Sequence, residues 1–127
     1  MRNNKLLGAF GEDMACSYLE SNGYRIIERN FSCRVGEVDI IAMEGDTLAF
    51  IEVKCRTSIN FGNPSEAVSY YKQSRIVKTA LFFMTKHKIF DYMCRFDVIE
   101  VLTDGTEENT SINLIKNAFE YNGKYGY

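Results

Sequence analysis

Residues 36–54 read Gly-Glu-Val-Asp-Ile-Ile-Ala-Met-Glu-Gly-Asp-Thr-Leu-Ala-Phe-Ile-Glu-Val-Lys: two apolar runs, each carrying charges two residues apart, with Gly45-Asp46 between them. A glycine followed by a polar residue suits a two-residue type II′ hairpin loop, and loop length sets strand register. In that register Glu44 faces Thr47, Ala42 faces Ala49, Ile40 faces Ile51 and Val38 faces Val53, while Asp39 comes opposite Glu52 and Glu37 opposite Lys54. Side chains two apart on a strand share a face, so Glu37, Asp39, Glu52 and Lys54 are expected to converge. Opposed carboxylates repel and weaken a sheet. A hard divalent cation between them turns that repulsion into coordination. Towards the turn, Ile41 and Phe50 make the charged face apolar, and the opposite face is apolar as well. A sheet apolar on both faces is covered on both, here by helices.

The flanking sequence supplies those helices. Residues 4–22 read as a helix, because Leu7, Phe10, Met14 and Tyr18 recur at helical spacing and Asn22-Gly23 is a stop signal. The small residues Gly8, Ala15 and Cys16 allow it to approach the sheet closely. Tyr24 to Phe31 reads as a strand and residues 56–62 as a polar loop. Asn63-Pro64-Ser65-Glu66 announces a second helix, with Asn63 as N-cap and Pro64 at its first position. It is expected to run to about Lys86 and to bury Val68, Tyr71, Ile76, Ala80 and Phe83 or Met84. Arg95 to Leu102 reads as another strand, whereas Ile112 to Phe119 suits helix or strand. The order α-β-β-β-α-β plus a short terminal element describes an α/β fold, a mixed sheet flanked by helices, in one domain over residues 1–127.

A chain of 127 residues, 46 % hydrophobic, holds enough apolar surface for a core. Its apolar runs are too short to span a membrane. The stretch from Leu6 to Phe10 is followed at once by Glu12 and Asp13, unlike a signal peptide, so a cytoplasmic protein with no membrane partner is expected. Cys16, Cys33, Cys55 and Cys94 are scattered without a CxxC pair, which points to reduced, mostly buried thiols and away from a zinc site. The net charge of −2 argues mildly against a general nucleic-acid binder. Yet no acid falls between Glu66 and Asp91, where Lys72, Arg75, Lys78, Lys86 and Lys88 lie. That segregation describes either a basic face on an acidic protein or, more plainly, a solvated helix surface.

Asp39, Glu52 and Lys54 form the chemical centre of the sequence. Phosphodiester cleavage needs a metal to polarise phosphate and activate water, and a cation to stabilise the charged transition state. Two acids and a lysine provide for both. The plainer reading is a Glu37–Lys54 cross-strand ion pair, but opposed acids within apolar strands have no obvious stabilising role. Glu12 lies at the edge of the first helix's apolar stripe, between Cys16 and Leu19 in projection, and is either a third acid of the site or an exposed boundary residue. Lys72 and Gln73 open the basic part of the second helix, where they can hold phosphates or line a solvated turn, and Arg56 and the following loop can meet a nucleic-acid backbone. His87 pairs with no nucleophile in the sequence. Gly36 suits backbone geometry at the strand start.

The motifs Gly8-x2-Gly11-Glu12-x2-Ala15, Gly23-Tyr24, Arg29-Asn30, Gly36-Glu37-Val38-Asp39-Ile40-Ile41, Phe50-Ile51-Glu52-Val53-Lys54-x-Arg56, Lys72-Gln73-x-Arg75-Ile76, Arg95-Phe96-Asp97-Val98 and Asn117-Ala118-Phe119 span nearly the whole chain. Together they resemble the bacterial YraN-like family. The resemblance implies a restriction-endonuclease-like core of the PD-(D/E)XK type, related to archaeal Holliday junction resolvases. It implies that Asp39 and Glu52 are metal-binding acids, Lys54 the catalytic lysine, Glu12 the first-helix glutamate and Gln73 a supporting helix residue. Val38 stands where that motif's proline would be. The expected function is a Mg²⁺- or Mn²⁺-dependent nuclease acting on DNA, on branched or processed structures more than on a fixed sequence. Arg56, Lys72, Gln73 and Arg75 are expected on the nucleic acid. The alternatives are a non-catalytic nucleic-acid-binding or assembly module on the same fold, and a protein-interaction domain with a structural salt-bridge cluster. Oligomeric state stays open, a homodimer included.

Overall fold

The computed structural model describes residues 4–57 and 68–120. In chain order these form α1 (Asn4–Ser21), β1 (Tyr24–Cys33), β2 (Gly36–Glu44), β3 (Thr47–Arg56), α2 (Tyr70–His87), β4 (Met93–Leu102), a 3₁₀ turn (Glu107–Asn109) and β5 (Ser111–Phe119). The five strands make one sheet in the order β1-β2-β3-β4-β5. Every neighbouring pair is antiparallel except β3 and β4, which run parallel. A parallel pair needs a crossover, and the chain between these strands carries α2. The result is the mixed α/β sheet with flanking helices that the sequence implies. The segment left open between helix and strand is β5, hydrogen-bonded along β4.

The central hairpin holds the expected register from Glu44↔Thr47 to Ile40↔Ile51. Gly45 has φ 58° and Asp46 does not share the positive value, which is the signature of a type II′ loop. Alternation then sorts the strands onto two cores. Ile41, Met43, Leu48 and Phe50 pack with Ile76, Ala80 and Phe83 of α2. Ile40, Ala42, Ala49 and Ile51 pack with Ala15, Cys16 and Leu19 of α1. Phe83 sits edge-on to Phe31 and Phe50, with ring centroids 5.1 and 6.0 Å away.

Each helix departs from its expected face. The buried row of α1 is Leu7, Gly11, Ala15 and Leu19, while Phe10, Met14 and Tyr18 are only half-buried. Small residues take the contact because backbone approach is close there: a Cβ on Gly11 would lie 2.6 Å from Cys55 Sγ. Gly8, by contrast, faces open space. The expected start of α2 at Asn63 and Pro64 lies outside the described residues; the described helix begins at Tyr70, with Ser69 as N-cap accepting from the Lys72 amide at 3.2 Å. Val68, Ile76, Ala80 and Phe83 are buried as expected, but Tyr71 is 72 % exposed. Five residues before Ile76, it falls off the i, i+4, i+7 row that faces the sheet. The four cysteines are free, and their burial is more mixed than expected: Cys16 is buried, Cys33 and Cys55 are intermediate and Cys94 is exposed. No helix among the described residues is long and apolar enough to cross a membrane.

Candidate active site where the central hairpin parts

The β2–β3 ladder stops at Ile40↔Ile51. Beyond it, the Val53 amide donates to Asp39 Oδ2 at 2.8 Å, so a side chain takes a bond that would otherwise extend the sheet. Face alternation also breaks here. Ile40 belongs to the α1-side core, yet Val38, two residues earlier, joins the α2-side core with Phe31. In β1, Arg29 pairs with Ile40 and Phe31 with Val38, but the intervening Asn30 and Asp39 are unpaired and Asn30 is left-handed at φ 54°. Both strands therefore bend at one point and the hairpin opens. This overturns two expectations. Val38 does not share a face with Val53, and Glu37 does not pair with Lys54. Glu37 is exposed and its charge acts on Lys72 instead, while Lys54 makes no ion pair among the described residues.

Asp39 and Glu52 do meet, near enough for the Glu52 carboxyl to act directly on the titration of Asp39. Burial, and then the charge of Glu52, push the Asp39 pKa up to about 7; the Val53 amide works against that rise and the charge of Glu12 adds to it. Glu52 is only 6 % exposed. Its Oε2 forms an ion pair with the Lys72 ammonium of α2 at 2.5 Å. Burial disfavours the charge on Lys72, but the bond to Glu52 and the nearby acids outweigh it and raise that pKa. Lys72 thus touches an acid of the site directly, a closer role than the phosphate contact expected of it.

Glu12 reaches the same region from α1, held on Oε1 by Arg29 Nε at 3.1 Å, Arg29 Nη2 at 3.0 Å and Asn30 Nδ2 at 2.8 Å. Arg29 also bonds Asp13 at 2.7 Å. Strand periodicity assigns no role to Arg29 and Asn30. The available signals were their place in the motif set and the tolerance of asparagine for left-handed backbone. Among the described residues no three His, Cys, Asp or Glu side chains stand close enough together to hold a metal. Glu12 is therefore beside the Asp39–Glu52 pair without completing a three-acid cluster. The pair itself fits a hard divalent cation: two oxygen donors, poorly hydrated and mutually repelling.

The remaining expected residues scatter more widely. The Gln73 side-chain Nε2 donates to Val68 O at 2.7 Å, fastening the first turn of α2 to the preceding chain. Arg75 Nη1 donates to Tyr71 OH at 3.1 Å, and its guanidinium lies 5.6 Å from the centre of that ring. Arg56 ends β3, where its carbonyl accepts from the Thr103 amide at 3.0 Å. A cleft of about 420 Å³ runs between α2 and the β1–β2 end, lined by Gly36, Glu37, Tyr71, Lys72 and Arg75. Gly36 serves close approach: a Cβ there would meet Thr79 Oγ1 at 2.9 Å.

Residues 11–101 match the model of the family described as Uncharacterised protein family UPF0102. The chain is 50 % identical to a UPF0102 protein of Caldicellulosiruptor bescii over 118 residues, 92 % of this chain and 99 % of the relative. It is 48 % identical over 117 residues to UPF0102 proteins of Clostridium kluyveri and Clostridium tetani, covering 92 % of this chain and 96 % of each relative.

Proposed function

The chain belongs to the uncharacterised protein family UPF0102, the YraN-like family its motifs resemble, and on that premise we propose that it is a divalent-metal-dependent nuclease acting on DNA, on branched or processed structures rather than on a fixed sequence. The observation that carries this reading is the Asp39–Glu52 pair at the point where β2 and β3 part. Among the described residues Asp39 has no ion-pair partner, only a backbone amide and a second acid. The two carboxylates would hold Mg²⁺ or Mn²⁺, with Glu12 assisting through water. Such a cation supplies Lewis acidity towards a phosphodiester and makes bound water more acidic. Lys54 follows Glu52 by two residues and so shares its face of β3. Making no ion pair among the described residues, its ammonium is available to orient the attacking water or to stabilise charge gathering on the phosphate. Lys72 fixes the Glu52 carboxylate and, with Arg75, offers positive charge to flanking phosphates.

Binding without cleavage draws on one contact, the Lys72–Glu52 bridge, which already answers one of the two acids. A panel of linear, flapped and four-way DNA, incubated with Mg²⁺, Mn²⁺ or EDTA, separates the readings. The nuclease reading expects metal-dependent cleavage that falls by about 10²–10³-fold in Lys54→Ala and Asp39→Asn while DNA binding persists. Binding to the panel with no cleavage of any member moves the assignment to a binding or assembly module.

A further inference from the structure

Tyr71 is a large aromatic side chain left 72 % exposed at the start of α2. It is not loose. Arg75, one turn further on, bonds its hydroxyl at 3.1 Å and places a guanidinium 5.6 Å from the ring centre. One side of the ring is therefore taken by a cation, and the high exposure leaves the other to solvent. The next residue, Lys72, bonds Glu52, so the ring stands one position from a side chain on the acid pair. Ring, lysine and arginine line one wall of the 420 Å³ cleft, and Gly36 and Glu37 line the other. That volume falls within the roughly 300–1,000 Å³ common for small-ligand sites.

We propose that this cleft receives one unpaired nucleotide of the substrate strand, with its base stacked on Tyr71 and its phosphates turned to Lys72 and Arg75. An exposed aromatic face next to basic side chains is how proteins bind single strands, because every base offers a π-face and every linkage a negative charge. Glu37 sets the orientation. Its carboxylate repels phosphate but accepts hydrogen bonds from base amino groups, so the base enters and the phosphates stay at the basic rim. A base inside a duplex reaches such a cleft only by unstacking, which costs free energy that an already unpaired strand does not lose. The substrate class is DNA carrying a flap, a frayed end or a branch with unpaired nucleotides. This deepens the nuclease reading and rests on it for the path of the strand past Asp39 and Glu52.

The test is fluorescence anisotropy in EDTA with labelled single-stranded, flapped and blunt duplex DNA, using wild type, Tyr71→Ala and Tyr71→Phe. Wild type is expected to bind single-stranded and flapped DNA more tightly than blunt duplex. Tyr71→Ala is expected to weaken those two by roughly 5- to 150-fold and to leave duplex binding nearly unchanged, while Tyr71→Phe stays near wild type. Equal weakening on all three DNAs, or no weakening on any, overturns the proposal. Tyr71 lies on the surface, so folding is not at stake in these variants. Because no cleavage occurs in EDTA, the two readings fail separately. A chain that never cuts DNA but discriminates through Tyr71 loses only the nuclease assignment. One that cuts but ignores Tyr71 loses only this inference.

Discussion

Two aspartates of this sheet show how partners, rather than burial alone, decide what an acid does. Asp97 is fully buried and accepts from four donors: Arg95 Nε at 2.8 Å, Arg95 Nη2 at 2.9 Å, Tyr24 OH at 3.1 Å and the Asn117 amide at 2.9 Å. It ties β1, β4 and β5 together. Asp97→Ala leaves Arg95 with Glu44 as its carboxylate partner at 2.7 Å but takes the acceptor from the Asn117 amide, the Tyr24 hydroxyl and Arg95 Nε, and urea unfolding is expected to show a loss of about 1–3 kcal/mol. Asp39 is the opposite case, a half-buried acid against another acid. Its folded-state pKa of about 7 stands above the ordinary 3.8. A raised acid pKa contributes stability below the unfolded value and loses it as pH climbs through the folded one. Without divalent metal, the Asp39 contribution should therefore fade between about pH 4 and pH 7. Asp39→Asn keeps an acceptor for the Val53 amide and carries no charge. Thermal melts in EDTA are expected to show the variant more stable than wild type at pH 8, by on the order of 2–4 kcal/mol, and no more stable at pH 4. Millimolar Mn²⁺ should raise the melting temperature of wild type and barely move the variant, because ligand that binds only the folded state stabilises it by mass action. A wild type more stable than Asp39→Asn at pH 8 in EDTA contradicts the repulsion on which the metal site is argued.

At the scale of elements, the position of α1 is set by a glycine. Gly11 lets the helix backbone come down on β3, where a Cβ would stand 2.6 Å from Cys55 Sγ and 3.0 Å from its Cβ. The next residue is Glu12, so the same close contact sets how far that carboxylate reaches towards Asp39. Gly11→Ala is expected to cost about 1–3 kcal/mol through overpacking. Replacing the thiol as well, in Gly11→Ala/Cys55→Ala, should recover most of the loss, and a double-mutant cycle by denaturant unfolding measures the coupling. Additive losses in that cycle would mean the glycine acts through backbone conformation and not through this contact. α2 is placed by a similar device, with Gly36 passing beneath Thr79. Each helix thus meets the sheet through a glycine, and each carries a charged side chain, Glu12 or Lys72, to the place where the hairpin opens.

For the whole molecule, a net charge of −2 makes any affinity for DNA depend on where the charges lie. Lys72 and Arg75 line one cleft, and phosphate contacts made there release counterions in proportion to their number. Lys72→Ala and Arg75→Ala are each expected to flatten the log–log salt dependence of binding by about 0.9 on duplex and about 0.7 on single strands. Titrations at three or more salt concentrations check this, and unchanged slopes would reduce the basic side of α2 to solvated surface. The sequence by itself determined the order of elements up to β4, the register of the central hairpin from its turn to Ile40 and Ile51, and the apolarity of both sheet faces. These follow from local rules: a Gly-Asp loop that selects one turn, and a two-residue period that needs no knowledge of distant chain. It also brought Asp39 opposite Glu52. Only the tertiary structure decided that the ladder ends at Ile40, that Val38 changes face, that Arg29 and Asn30 hold Glu12, and that Lys72 takes the partnership with Glu52. It likewise turned Tyr71 outwards and gave the inner row of α1 to small residues. Those outcomes depend on how closely two backbones approach and on which of several charges, far apart in the chain, reaches an acid first. Periodicity carries no information about either, because it describes one element at a time, whereas the site is made by three elements meeting.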